Sequence, residues 1–120
     1  MTNDILGQLG EEMAVRHLRT HGYDILETNW RFGHKEIDII ASKGKWIVFV
    51  EVKTRENSYA GEPWEAVGKG KQKTIITAAH EYLLENNTDR MPRFDIISIV
   101  HNSKYSRLEH LEDAFYPLSR

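Results

Sequence analysis

Apolar positions along the chain change their period several times, and each change marks an element. Leu6, Leu9, Met13 and His17 recur at helical spacing. Asn3 or Asp4 suits the start of that helix as its cap, Arg19 and His21 suit its last turn, and Gly22 suits its stop. Tyr23 to Trp30 is short and mixed and predicts a strand, and Glu36 to Ala41 predicts a second. Ser42-Lys-Gly-Lys45 is a turn signal, after which Lys45 to Thr54, rich in Val, Ile and Phe, predicts a third strand. Arg55 to Val67 holds Asn, Ser, Gly and Pro and reads as a loop. A second helix is expected from about Gly70 to about Glu85, with Ile75, Ala79 and Tyr82 on one face. Arg93 to Val100 predicts another strand, and Leu108 to Phe115 a last edge strand. This order predicts an α/β protein with a central mixed sheet flanked by helices.

Length and composition narrow the class. A chain of 120 residues with 40% apolar residues fits one domain, 1–120, with its own core. The absence of cysteine excludes disulfides and thiolate metal sites and agrees with a reducing, cytoplasmic compartment. Met-Thr-Asn-Asp at the start has no basic region followed by an apolar run, so no signal peptide is expected. The longest apolar run, Trp46 to Val50, is too short to span a bilayer, and no membrane partner is expected. The formal net charge of −2 means that any nucleic-acid reading must rest on local patches.

Two segments break the rules for buried strands. Lys-Glu-Ile-Asp-Ile-Ile places Glu36 and Asp38 inside an apolar strand, and Val-Phe-Val-Glu-Val-Lys ends a core-like run with Glu51 and Lys53. Buried ionised groups are costly unless they are paired or hold a metal. With Lys43-Gly44 as a two-residue turn, Ser42 pairs with Lys45, Ile40 with Ile47 and Asp38 with Phe49. That register puts Glu36, Asp38, Phe49, Glu51 and Lys53 on one face, with Asp38 a diagonal neighbour of Glu51. Such a pair can take one hard cation, Mg²⁺ or Mn²⁺, because these ions accept one or two carboxylates and keep waters. The cation would polarise a phosphate and activate water, while Lys53 would orient that water or offset the developing charge. The plainer reading leaves Glu51 and Lys53 as a solvated strand end and Asp38 in a salt bridge.

Ile37-Asp38 followed by Glu51-Val-Lys53 resembles the PD-(D/E)XK signature of restriction-endonuclease-like nucleases. More of the chain matches something narrower. Gly7-Gln-Leu-Gly10-Glu11 with Ala14 and Leu18, Gly22-Tyr23, Asn29-Trp-Arg31, Glu36-Ile-Asp-Ile-Ile40, Val48 through Arg55, Ala66-Val67 with Lys71, and Arg93-Phe-Asp95 are similar to the YraN-like uncharacterised protein family. The resemblance runs from Gly7 to Phe115. It implies a restriction-endonuclease-like fold akin to archaeal Holliday junction resolvases, with Asp38, Glu51 and Lys53 at the active-site positions. It further implies a metal-dependent endonuclease acting on DNA, branched or single-stranded, and the dimerisation common among resolvase-like proteins. A non-catalytic nucleic-acid-binding or adaptor module that kept the fold is the alternative. Lys35 departs from the glycine usual before Glu-Ile-Asp, which alters the approach to the site.

Further candidates surround this set. Gly7, Glu11, Ala14 and Leu18 share a helical stripe, so Glu11 faces the core edge, either completing the site or pairing with an arginine such as Arg31. Glu12 and Arg16 are spaced for a solvated i,i+4 pair. Gly68-Lys69-Gly70-Lys71-Gln72-Lys73 places three lysines and open amides at a helix start, which suits phosphates, and Gln72 can point into the site. Arg31, Lys35 and Arg55 flank the site strands as further backbone contacts. Trp30, Tyr59 and Trp64 are candidate stacking platforms, with Trp46 assigned to the core and Tyr59 and Trp64 to a flap. His17 and His21 have zinc-pair spacing without a third ligand, and Arg93 with Asp95 reads as a structural pair.

Overall fold

The computed structural model describes residues 1–117. In chain order it contains α1 (Asn3–Thr20), β1 (Asp24–Phe32), β2 (Lys35–Lys43), β3 (Trp46–Arg55), α2 (Lys69–Glu85), β4 (Met91–His101) and β5 (Ser106–Phe115). The five strands form one sheet in sequential order, antiparallel except for the parallel pair β3–β4. That parallel pair requires a crossover, which α2 supplies. The sheet flanked by helices is the α/β arrangement expected from the pattern, and β5 is an edge strand as expected. No helix among the described residues is long and apolar enough to cross a membrane.

The helices cover opposite faces. Ala14 and Leu18 of α1 pack on Ile39, Ala41, Val48, Val50, Ile97 and Ile99. Ile75, Ala78, Ala79 and Tyr82 of α2 pack on Ile40, Ile47, Phe49, Phe94 and Phe115. Strand β3 is therefore buried on both sides from Ile47 to Val50, which explains its unbroken apolar run. Trp30 packs into the α2 layer, edge-on to Tyr82 with ring centroids 5.1 Å apart.

Three local expectations are corrected. Thr2, not Asn3 or Asp4, caps α1: it is extended and its hydroxyl accepts the Ile5 N–H at 3.2 Å, while Asn3 is already helical. The β2–β3 turn is Gly44-Lys45 rather than Lys43-Gly44. Lys43 pairs with Trp46, Ser42 with Ile47 and Ile40 with Phe49. Gly44 has φ 56°, and the first central position of a two-residue turn is where a positive φ calls for glycine. The segment Arg55 to Val67 is a loop as expected but contains a 3-10 turn, Pro63–Ala66, closed by a capping box between Glu62 and Glu65.

Helix α1 comes unusually close to β3 at Gly10. A Cβ there would lie 1.9 Å from Thr54 Oγ1, 2.9 Å from its Cβ and 3.0 Å from its Cγ2. Rotating Thr54 cannot clear all three atoms, so only glycine lets the helix lie this low.

A buried polar network ties the same face together. Arg93 grips Asp95 through two hydrogen bonds of 3.0 and 2.8 Å and donates to the Tyr23 hydroxyl at 2.6 Å. Asp95 also partners His110 at 2.7 Å and accepts the Asp113 N–H at 3.0 Å. Arg93 and Asp95 thus form the structural pair expected. His17 joins His110 at 3.0 Å, and His21 contacts the His17 carbonyl. Among the described residues no group of three His, Cys, Asp or Glu is disposed to hold a metal, so the histidine spacing serves this network.

Two outcomes follow from this packing. Gly10→Ala should lower stability by about 1–3 kcal/mol through overpacking, despite alanine's better helix propensity. Thr54→Ala in the same chain should recover part of the loss in urea melts; a Gly10→Ala protein as stable as wild type would contradict the close approach. Asp95→Asn should cost about 3–5 kcal/mol, because it strands a buried guanidinium. Burial by itself would raise the Asp95 carboxyl, but the bonds from His110, Arg93 and the Asp113 amide, with the Arg93 charge, outweigh it and hold it below its usual 3.8. Its stabilisation is thus complete above about pH 4 and lost as pH falls through the depressed value. Denaturation at pH 3 and 7 should show wild type losing part of this stabilisation, at most about 1 kcal/mol by pH 3, and Asp95→Asn losing little.

Candidate functional site

Beyond Ile39 and Val50 the β2–β3 pairing ends, and the two strands part. Continuing the register sets Asp38 directly opposite Glu51, not diagonal to it. The corrected turn shifts the register by two, so it does not by itself alter the parity by which Asp38 and Glu51 were expected to share a face. Where the ladder stops, the Asp38 carboxylate takes the place of a strand partner: Oδ2 accepts the Val52 N–H at 2.8 Å.

The parity does not extend to Glu36. Ile37 packs in the same layer as Ile40, whereas regular alternation would send these two to opposite faces. Asn29, on the neighbouring strand, has φ 52°. The β1–β2 ribbon is therefore creased at Asn29 and Asp38. Glu36 leaves the face of Glu51 and pairs with Arg31 at 3.6 Å. Arg31 is thus not the partner of Glu11. Glu11 instead accepts the Asn29 side-chain amide at 3.0 Å.

The electrostatics are those of crowded acids. Burial, then the charge of Glu51, pushes the Asp38 carboxyl up to about 7, against the opposing Val52 hydrogen bond. Glu11 is also raised, chiefly by burial, with the charges of Asp38 and Glu36 contributing. Glu51 is 4% exposed, and its Oε1 is buried without a hydrogen-bond partner among the described residues. Its other oxygen lies 3.7 Å from Lys71 Nζ. Glu11 from α1 and Lys71 from α2 thus reach the crease from opposite faces of the sheet.

The remaining candidates divide. Lys53 lies one pleat beyond Glu51 on β3, half-buried, with no ion-pair partner among the described residues. Lys71 reaches Glu51, while Lys69 and Lys73 are exposed at the helix start. Gln72 does not enter the site: its amide donates to the Val67 carbonyl at 3.1 Å, tying α2 to the preceding loop. Arg55 donates to the Gly61 carbonyl at 3.4 Å, and Lys35 is half-buried at the start of β2. Tyr59 is 97% exposed and Trp64 38%, whereas Trp30 is packed into the α2 layer and is no platform. Trp46 packs at the edge of the α1 layer, under the Arg93 guanidinium. Lys71 as partner of Glu51, and Asn29 as partner of Glu11, were missed by sequence reasoning. The family-like Lys71 was the available signal for the first, and the family-like Asn29-Trp-Arg31 segment for the second; neither indicated which acid it would meet.

A five-stranded mixed sheet between two helices, with paired carboxylates where two central strands part, is compatible with the restriction-endonuclease-like class of folds. Residues 10–99 match the uncharacterised protein family UPF0102, and the chain belongs to that family. It is 46% identical to a UPF0102 protein of Flavobacterium psychrophilum over 92% of this chain and 93% of that one. It is 45% identical to one of Bacteroides thetaiotaomicron over 93% of each. A relative from Chlorobium chlorochromatii is 44% identical over 92% of this chain and 91% of its own. The likeness to the YraN-like family read from the sequence is thereby established.

The raised Asp38 carboxyl gives a signed expectation. A folded-state value near 7 against an ordinary 3.8 means the folded protein holds the extra proton between these values. Stability without added metal should therefore fall as pH rises from about 4 to about 7. Asp38→Asn keeps an acceptor for the Val52 N–H and should flatten that limb and gain stability at pH 8. Urea melts in chelator at pH 5 and 8 measure it; an Asp38→Asn protein that is less stable at pH 8 would contradict the crowding.

Proposed function

We propose that this protein is a metal-dependent phosphodiesterase acting on DNA. The observation that carries the reading is the orphaned Glu51 Oε1, a buried carboxylate oxygen beside a second carboxyl. Leaving such an oxygen unsatisfied costs free energy that a bound cation would relieve. The donor set fits: two carboxylates and no sulfur or histidine suit Mg²⁺ or Mn²⁺, held by Asp38 and Glu51. Once bound, the ion supplies Lewis-acid polarisation of a phosphate and a more acidic water.

The chain's own residues do the rest. Lys53, on the face of Glu51 and free of a carboxylate, meets the non-bridging phosphoryl oxygens and offsets charge as water attacks phosphorus. Glu11, with a raised carboxyl on the far side of Asp38, exchanges a proton with the water or the leaving oxygen. Lys71 balances Glu51 and keeps the acidic cluster from repelling a polyanion. Lys69 and Lys73, exposed on the same turn, together with Arg31, Lys35 and Arg55 at the strand ends, contact the backbone of the DNA. Branched or single-stranded DNA is the favoured form, and two sites in a homodimer would cut two strands.

A second reading has its own observation. Lys71 on Glu51 and a proton on Asp38 neutralise the pair without metal, as a non-catalytic nucleic-acid-binding module would need. Mn²⁺ titration followed by cleavage of linear, single-stranded, flapped and four-way DNA separates the two. Asp38→Ala and Glu51→Ala should each abolish Mn²⁺ binding and cleavage while the fold persists. Lys53→Met should keep metal and DNA affinity yet lose about 10²–10³ in single-turnover rate. Wild-type protein that binds DNA but neither takes up Mn²⁺ nor cuts any substrate would sink the enzymatic reading in favour of the second.

A further inference from the structure

Between α1 and β1 runs an open cleft of about 520 Å³ that begins at the carboxylate site. Glu11 forms its near end, Arg16 and Arg19 line its helical wall, and Thr28 and Asn29 line its strand wall. The two arginines stand apart from the other arginines among the described residues. Arg31 and Arg107 pair with carboxylates, Arg93 is locked to Asp95, and Arg55 and Arg90 donate to backbone carbonyls. Arg16 and Arg19 are exposed, and neither side chain has a hydrogen bond or ion pair among the described residues. The solvated Glu12–Arg16 pair expected from spacing is not formed, which leaves that guanidinium free to meet a ligand.

The rest of the wall matches these cations. Thr28 and Asn29 are exposed polar residues. Asn29 spends its amide N–H on Glu11, and its left-handed backbone turns this residue toward the helix. The residue that shapes the cleft therefore also touches the acid cluster, so cleft and site form one continuous surface. Along α1, Arg16 and Arg19 lie about 7.5 and 12 Å beyond Glu11, at 1.5 Å per residue. With phosphates rising about 3.4 Å each along one strand, those distances reach roughly two to four nucleotides from the reacting bond. Planar guanidinium forks suit phosphate oxygens.

We infer that the α1–β1 cleft seats the phosphate backbone of the DNA strand flanking the bond to be cut, with Arg16 and Arg19 as its anchors. This rests on the phosphodiesterase reading and names where the substrate strand leaves the site. It adds an anchor on the face opposite α2, so the strand is gripped from both sides of the sheet. Glu12 lies on the same wall and is the acid that a bound phosphate backbone has to pass.

The test uses the full chain and a fluorescent oligonucleotide, single-stranded or duplex, with anisotropy read from low to moderate salt. Arg16→Gln/Arg19→Gln should weaken binding at least tenfold at low salt. It should also reduce the slope of log affinity against log salt by about 1.4 on single strands or 1.8 on duplex, at 0.7 or 0.9 per phosphate contact. Arg16→Lys/Arg19→Lys should restore the slope, since charge is kept, while recovering only part of the affinity. Mn²⁺ binding at Asp38 and Glu51 should be unchanged in both variants, and circular dichroism normalises for folded protein. Wild-type slope in the glutamine variant, with Mn²⁺ binding and cleavage intact, overturns the cleft assignment and leaves the phosphodiesterase reading standing. Wild-type protein that binds neither Mn²⁺ nor DNA overturns both.

Discussion

The parting of β2 from β3 is the constraint on which the rest of the site depends. A ladder that continued would pair Val52 through its backbone and lay Asp38 and Glu51 flat against each other as like charges across a sheet. Instead the Asp38 side chain accepts the Val52 N–H, and one carboxylate oxygen does the work of a strand carbonyl. The backbone donor is satisfied, the strands open, and the acid is fixed at the mouth of the gap. Everything else is arranged around that substitution: Glu51 across the gap, Lys71 beneath it and Glu11 above it.

Two residues with left-handed backbone show how the fold bends to serve charge. Asn29 and Asp113 have φ of 52° and 53°, and both sit where their strand departs from regular alternation or register. Short polar side chains tolerate this conformation better than most. Each bend sends a hydrogen bond to an acid, from the Asn29 side chain to Glu11 and from the Asp113 amide to Asp95. One such acid belongs to the candidate site. The other belongs to the buried network that fixes β5 and α1 against β4.

The elements were legible in the sequence because they are written in local periodicity, and so was the break in the strand pattern at the candidate site. The apolar run of β3 marks the strand, and the charges at Asp38, Glu51 and Lys53 mark where its core-like pattern breaks. The turn was misplaced by one residue because Lys-Gly and Gly-Lys are equivalent as composition; only the positive φ of Gly44 separates them. The crease at Asp38 was hidden, since it turns on which layer Ile37 enters. The partners Lys71 and Asn29 depend on contacts between residues far apart in the chain, as do His110 and Tyr23 around Asp95. Charge spacing on one helix misled in the other direction, suggesting a Glu12–Arg16 pair that is not formed among the described residues.

The parallel junction of β3 with β4 has a consequence for the order in which the chain assembles. Strands β1, β2 and β3 form a meander of neighbours, whose contacts are close in sequence and quick to form. Pairing β3 with β4 must close a loop through the whole of α2, a slower event with a larger entropic cost. Both carboxylates therefore come together in the early meander, whereas Lys71 arrives only with the late crossover. Until then the meander carries the two acids without the lysine that pairs with Glu51 in the finished fold.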